Sequence, residues 1–151
     1  MPSELTATVG EVLARAFNLD TTGARDLAAT ALTQADADNR AALVAATSFA
    51  DYMDARFADA VVTARRAVVL AAGAGPSAQV LAATTLALAL ANEPRVDEAP
   101  HLTAFHAARD GLEALDAMPA QLRSLTLALM VEAAFANGQL ADAGRLLSLV
   151  D

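Results

Sequence analysis

Cysteine, tryptophan and lysine are absent from the 151 residues, and aromatic side chains make up only 4% of them. Without cysteine there is no disulfide and no thiolate metal site, and the composition suits a reducing compartment, so the cytoplasm is the expected location. Without lysine, all positive charge rests on ten arginines, which face 18 acids and leave a formal net charge of -8. That balance speaks against nucleic acid or anionic membrane as a partner, since both require a basic surface. The start, Met1-Pro2-Ser3-Glu4, carries an acid where a secretory leader carries bases, and reads as no leader. The most apolar run, residues 80–91, holds two threonines and is far short of the roughly 20 residues a membrane span needs. It reads as a buried helix.

What the chain has in excess is alanine, 41 of 151 residues. Alanine has the best helix propensity, and thin side chains let helices approach closely, so the composition predicts an all-α protein with a tightly packed core. The length fits one domain, which at this size hides about two-thirds of its unfolded surface.

Helical periodicity and turn residues divide the chain into eight helices. The first starts at Ser3, a capping residue followed by an acid, and carries Val9, Val12, Leu13, Ala16 and Phe17 on one face. The second runs over 24–35, the third over 40–53, the fourth over 57–72. Gly73-Ala74-Gly75-Pro76 stops the fourth, and the fifth, 77–92, is apolar all round and must be covered on both sides. Pro94 ends it. The sixth begins at Asp97 or Pro100 and runs to 117 across Gly111; the seventh covers 120–136, and Asn137-Gly138 ends it in residues that tolerate a left-handed cap. The eighth covers 140–149. The helices pair as 3–37, 40–72, 77–117 and 120–150, one domain of four antiparallel hairpins.

Groups that could carry chemistry are few. His101 and His106 are five residues apart, about 140° around a helix, and share no face for a metal; His101 with Asp97 or His106 with Asp110 could form a local pair, and a surface or capping role is expected. Asp51, Asp54 and Asp59 gather near Tyr52 and Arg56 at a helix turn, where acids commonly cap. The serines lie in no nucleophile elbow, and Gly73-Ala74-Gly75-Pro76 lacks the lysine of a phosphate loop. No catalytic, cofactor or metal site is expected.

Residues 57–60, 96–99 and 140–143 share one pattern: a bulky apolar residue, one variable residue, an acid, then alanine. The alanines that open the second helix of each pair stand at 24, 60, 99 and 143, a spacing in the range of helical-hairpin repeats. These residues resemble the tetratricopeptide repeat family. Phe57, Asp59, Ala60, Ala67, Val68 and Leu70 follow its second helix, and Leu127, Met130, Val131, Gly138, Leu140, Asp142 and Ala143 follow the fourth pair including the turn glycine. The first pair, with Thr21-Thr22-Gly23-Ala24, lacks the bulky-acid-alanine signature, and His106 stands where the third pair would place its second alanine.

The resemblance implies a short right-handed superhelix that binds a protein or peptide, a scaffold or regulatory part of a bacterial assembly such as a transcription regulator. Its groove positions fall on Phe17, Phe49, Tyr52, Met53, Leu88, Asn92, Glu132 and Phe135, with Leu13, Ala45 and Leu125 beside them. The basic residues of a carboxylate clamp are missing, which favours an apolar partner segment. The alternative is a domain that senses a small molecule in an apolar pocket among Phe49, Tyr52, Leu88 and Phe135. Leu146, Leu147, Leu149 and Val150 end the last helix with nothing after them to cover it, which predicts a homodimer through this end or contact with a longer parent chain.

Overall fold

The computed structural model describes residues 5–93 and 99–150. Among these the chain is all-α: α1 (Ala7–Phe17), α2 (Thr21–Leu32), α3 (Ala37–Met53), α4 (Phe57–Ala71), α5 (Pro76–Leu90), α6 (Ala99–Asp110), a 3-10 segment (Leu112–Ala117), α7 (Ala120–Ala136) and α8 (Leu140–Leu147), with no strand. The expected cap at Ser3 and the pattern at 96–98 lie outside the described residues; α1 starts after Thr6 instead.

Local chemistry accounts for most boundaries. The Asp20 and Asp36 carboxylates accept hydrogen bonds from the Gly23 and Asn39 amides at 3.1 and 2.9 Å, satisfying N–H groups at the open ends of α2 and α3. Pro76 occupies the first turn of α5, where its missing N–H costs nothing. The sixth helix stops earlier than its periodicity predicts. A Cβ on Gly111 would sit 2.5 Å from Val80 Cγ2, so this glycine lets the end of α6 lie directly against α5, and the chain tightens there into the 3-10 segment.

Three of the inter-helix turns share one geometry. In Asn18-Leu19-Asp20, Asp54-Ala55-Arg56 and Asn137-Gly138-Gln139 the middle residue is left-handed, with φ of 64°, 59° and 71°. The third residue donates its amide to a carbonyl in the last turn of the preceding helix, Asp20 to Arg15, Arg56 to Asp51 and Gln139 to Ala134, at 2.9, 2.9 and 2.8 Å. The middle residue donates to Ala16, Tyr52 and Phe135 at 3.0, 3.0 and 3.1 Å. This paired closure satisfies carbonyls that a helix end otherwise leaves open. The first hairpin therefore repeats the turn of the others although its sequence lacks their signature. Past each turn Ala24, Ala60 and Ala143 stand in the same position and are fully buried.

The odd-numbered helices run parallel. Their starts are tied sideways: the Thr6 amide donates to Asn39 Oδ1 at 2.8 Å, joining α1 to α3, and the Gly75 amide donates to Asp38 Oδ1 at 3.1 Å, joining α5 to α3. Their ends meet through the Phe17 and Phe49 rings, 4.6 Å between centroids, and through Asn137 Nδ2, which donates to the Ala87 carbonyl at 3.2 Å. Successive odd helices pack on each other, and α1 also packs on α7. A Cβ on Gly10 would lie 3.7 Å from the Leu122 backbone.

The four parallel helices thus form a ring, where an open superhelix would keep first and last apart. Leu13, Leu43, Leu81, Leu88 and Leu129 are buried in the main core of this assembly, each contributing about 2 kcal/mol by leaving water. Outside the ring, α2 lies against α1 and α3, α4 against α3 and α5, and α8 on α7. Among the described residues no helix is long and apolar enough to cross a membrane.

The shared turn sets a test. Gly138→Ala forces a side chain into the left-handed region and is expected to cost about 1 kcal/mol. Ala55→Gly relieves the same conformation and is expected to be neutral or stabilising by up to about 1 kcal/mol. Urea denaturation of both variants beside the parent checks the opposite signs.

Candidate binding surface

The ring divides the predicted groove residues into two sets. Phe49 and Leu88 are 2% and 1% exposed and belong to the core, so neither is available to a partner. Phe17, Tyr52 and Met53 are partly buried at the turn end of the ring, while Asn92, Glu132 and Phe135 are exposed there. The Tyr52 ring stacks on Phe49 at 6.3 Å and meets Phe57 edge-on at 5.4 Å, and its hydroxyl accepts from Asn92 Nδ2 at 3.3 Å. Its ring is thus a joint between hairpins. The expected terminal patch also divides. Leu146 is 3% exposed and part of the core, whereas Leu147, Leu149 and Val150 are exposed. The reason is helical phase: Leu146 shares the inward face of α8 with Ala143. Leu149 folds toward the 3-10 segment, lining hollows with Leu112, Arg123 and Leu127.

The repeated turn gives these exposed residues a meaning that burial alone does not. Counting from the left-handed residue, Tyr52, Phe57, Val61 and Ala64 of the second hairpin correspond to Phe135, Leu140, Gly144 and Leu147 of the last. In the second hairpin Val61 and Ala64 are buried with Ala89 and Leu90 of α5, and Tyr52 packs on the same cluster. In the first hairpin the corresponding Ala16, Thr21 and Ala28 are buried as well. Arg25, the counterpart of Val61, pairs with Asp51 of α3 at 3.2 Å. Apart from Phe57, which is partly buried beside Tyr52, these are positions that receive the next hairpin. On the last hairpin they stand open: Phe135 is 51%, Leu140 67% and Leu147 51% exposed, and no atom lies within 4 Å of a Cβ placed on Gly144.

Helix length explains the opening. α1 meets α7 at Gly10 and Leu122 and ends at Phe17, while α7 continues to Ala136. α7 therefore runs about two turns, or roughly 10 Å, past the end of α1. Phe135, Leu140, Gly144 and Leu147 form the uncovered face of that overhang. Leu140 was legible as a bulky repeat position and Phe135 as a groove position; Gly144 as a contact position was not, because its role follows from register with Val61.

The acids near Tyr52 resolve into an ion-pair network. Arg25 of α2 reaches Asp51 and Asp54 at 3.2 and 2.5 Å, and Arg56 reaches Asp51 and Asp59 at 3.6 and 2.9 Å. The hydroxyl of Thr21 donates to Asp54 at 2.7 Å and that of Thr63 to Asp51 at 3.4 Å. Burial pushes the Asp51 carboxyl above its ordinary value despite Arg56 and Arg25, whereas the Thr21 and Arg25 hydrogen bonds hold Asp54 below it. Every carboxylate faces a cation of the same network. The arrangement joins α2, α3 and α4 and offers no free base for acid–base work.

His101 is buried. Its Nδ1–H donates to Asn137 Oδ1, while Asn137 Nδ2 donates to the Ala87 and Ala133 carbonyls at 3.2 and 2.7 Å, tying α6 to α5 and α7. The sequence reading placed this histidine at the surface or in a cap; a long-range partner draws it inside. Its suggested pairing with Asp97 lies outside the described residues. His106 is exposed. A cleft of about 470 Å³ at the start of α1 and α3 is lined by Thr6, Thr8, Thr30, Thr33, Gln34 and Asp36, the last already capping α3. Among the described residues no group of three or more histidines and acids could hold a metal ion. Comparison with family models, with curated proteins and with solved structures gives no match.

The two aspartates predict opposite acid responses. Asp54, held low, stabilises the fold above pH 3.8, the ordinary value, and that stability is lost as pH falls through its lower folded value. Asp51, held high, takes up its proton in the folded state first, so the fold gains as pH falls toward 3.8 from above. Denaturation at pH 7, 5 and 3 by the order-of-magnitude pH steps of linkage analysis is expected to show the parent losing its advantage over Asp54→Asn toward the acid end. Against Asp51→Asn it is expected to gain as pH falls toward 3.8 from above.

Proposed function

We propose that this protein is a non-enzymatic helical-repeat module that binds a protein or peptide, a divergent relative of the tetratricopeptide repeats serving as scaffold or regulatory part of a bacterial assembly in the cytoplasm. One observation carries the reading. Phe135, Gly144 and Leu147 occupy positions that receive a helix in the preceding hairpins and, with Leu140 beside them, are exposed on the last one. A surface built to accept a helix, left open and apolar, is what a partner-binding repeat end requires. The repeated left-handed turn and the buried alanines behind it support kinship with hairpin repeats.

The partner this face suits is an apolar helical segment. The filled example inside the molecule is α5, which brings Leu86, Ala89 and Leu90 to the second hairpin. The face also moves the binding surface away from the concave groove, since Phe49 and Leu88 are enclosed by the ring.

Affinity capture from the source cell with the parent and a Phe135→Ala, Leu147→Glu variant checks this. Both side chains are about half exposed, so the variant is expected to fold with a parent-like circular dichroism spectrum and to lose the parent's partners. Recovery of the same partners by both proteins overturns the assignment.

A further inference from the structure

We infer that the occupant of the open face is a second copy of this chain, joined by two α8 helices crossing antiparallel about a two-fold axis at Gly144. The inference rests on the reading of that face as a helix-docking surface and names what docks there.

The stripe itself is self-complementary. Along α8 the outward residues are Leu140, Gly144 and Leu147, a glycine flanked on either side by leucine at helical spacing. Read in either direction the stripe is nearly the same, so an antiparallel copy places each leucine beside the other chain's far leucine and glycine against glycine. That is the condition an isologous interface imposes. No atom lies within 4 Å of a Cβ placed on Gly144, and a glycine at the crossing lets two backbones approach closely.

Charge points the same way. Two copies of net charge -8 repel, and an uncharged seam is the one that adds no close like-charge contact to that cost. Leu140, Ala141, Gly144, Leu147 and Ser148 are exposed and carry no charge. Of the charges of α8, Asp142 is buried on the side turned to the core, 3.5 Å from Arg109 of α6, and Arg145 is exposed but paired with Asp142. Glu132 stays exposed one turn before Phe135, beside the stripe and in solvent.

The ring excludes the other way copies of a repeat protein associate. Head-to-tail stacking would lay the first helix of one copy on the last hairpin of the next. That requires the outer side of α1 to be free, but α1 is packed on α7 of its own chain. An open filament is blocked, and a closed pair remains.

The absence of cysteine makes the geometry directly testable. In the full chain, Gly144→Cys places one thiol at the proposed axis, and Val69→Cys places one on the exposed side of α4 as a control. Sedimentation velocity is expected to show the parent as a dimer, mild oxidation to convert Gly144→Cys into a covalent dimer, and Val69→Cys to remain uncrosslinked. Leu147→Glu, at an exposed position that folding does not need, is expected to weaken the dimer by about tenfold or more. A parent that stays monomeric at its highest soluble concentration overturns the second copy as occupant, as does a Gly144→Cys variant that sediments as a dimer yet fails to crosslink, or crosslinking of both thiols alike. A monomeric parent whose captured partners are lost on Leu147→Glu overturns the dimer while leaving the docking face intact. A monomer whose partners are unchanged overturns both.

Discussion

A left-handed residue between two helices leaves the second helix few places to lie. At Leu19, Ala55 and Gly138 the chain reverses in three residues, closing two carbonyls of the outgoing helix before the next begins. Because the turn is so short, the residue five positions on always faces back toward the first helix. There the chain places Ala24, Ala60 and Ala143, whose thin side chains permit contact without a gap. The register of each hairpin follows from these two requirements. So does the equivalence of positions between hairpins that identifies the open face.

Thin side chains have a second effect, on curvature. With alanine at so many contacts, hairpins approach closely, and four parallel helices close on themselves with α1 against α7. A repeat array with bulkier seams would have more room inside and leave a groove. Here the inner positions are filled by leucine and by Phe49, and the surface available to a partner moves to the overhang that the shorter α1 leaves uncovered. The apolar residues there are few, but they share one face.

Local signals made the helices and the last turn readable from sequence. Asn137-Gly138 and the bulky residue, acid and alanine at 140–143 mark both the cap and the helix that follows, and Pro76 marks the start of α5. The turns at Leu19 and Ala55 left no such mark, because neither residue is one that the left-handed region favours; their conformation is imposed by the hairpins they join. Long-range contacts were equally silent. That Arg25 would hold Asp51 and Asp54, that His101 would turn inward to Asn137, and that Gly10 would meet Leu122 all depend on how distant helices approach. Of the groove residues, Tyr52 and Phe135 stand at equivalent positions of two hairpins once the turns are aligned. Their different surroundings follow from what lies beyond each hairpin, which no local pattern records.

The contact between α1 and α7 bears also on how the molecule comes apart. In an open array each hairpin leans only on its neighbours, so the ends fray first and unfolding spreads inward by steps. Joining the first odd helix to the last removes the free end at α1: to release it, the chain must break contacts made across most of its length. Such contacts form late in folding, since the intervening loop must close before they are rewarded. Once made, they couple the stability of the first described hairpin to that of the last.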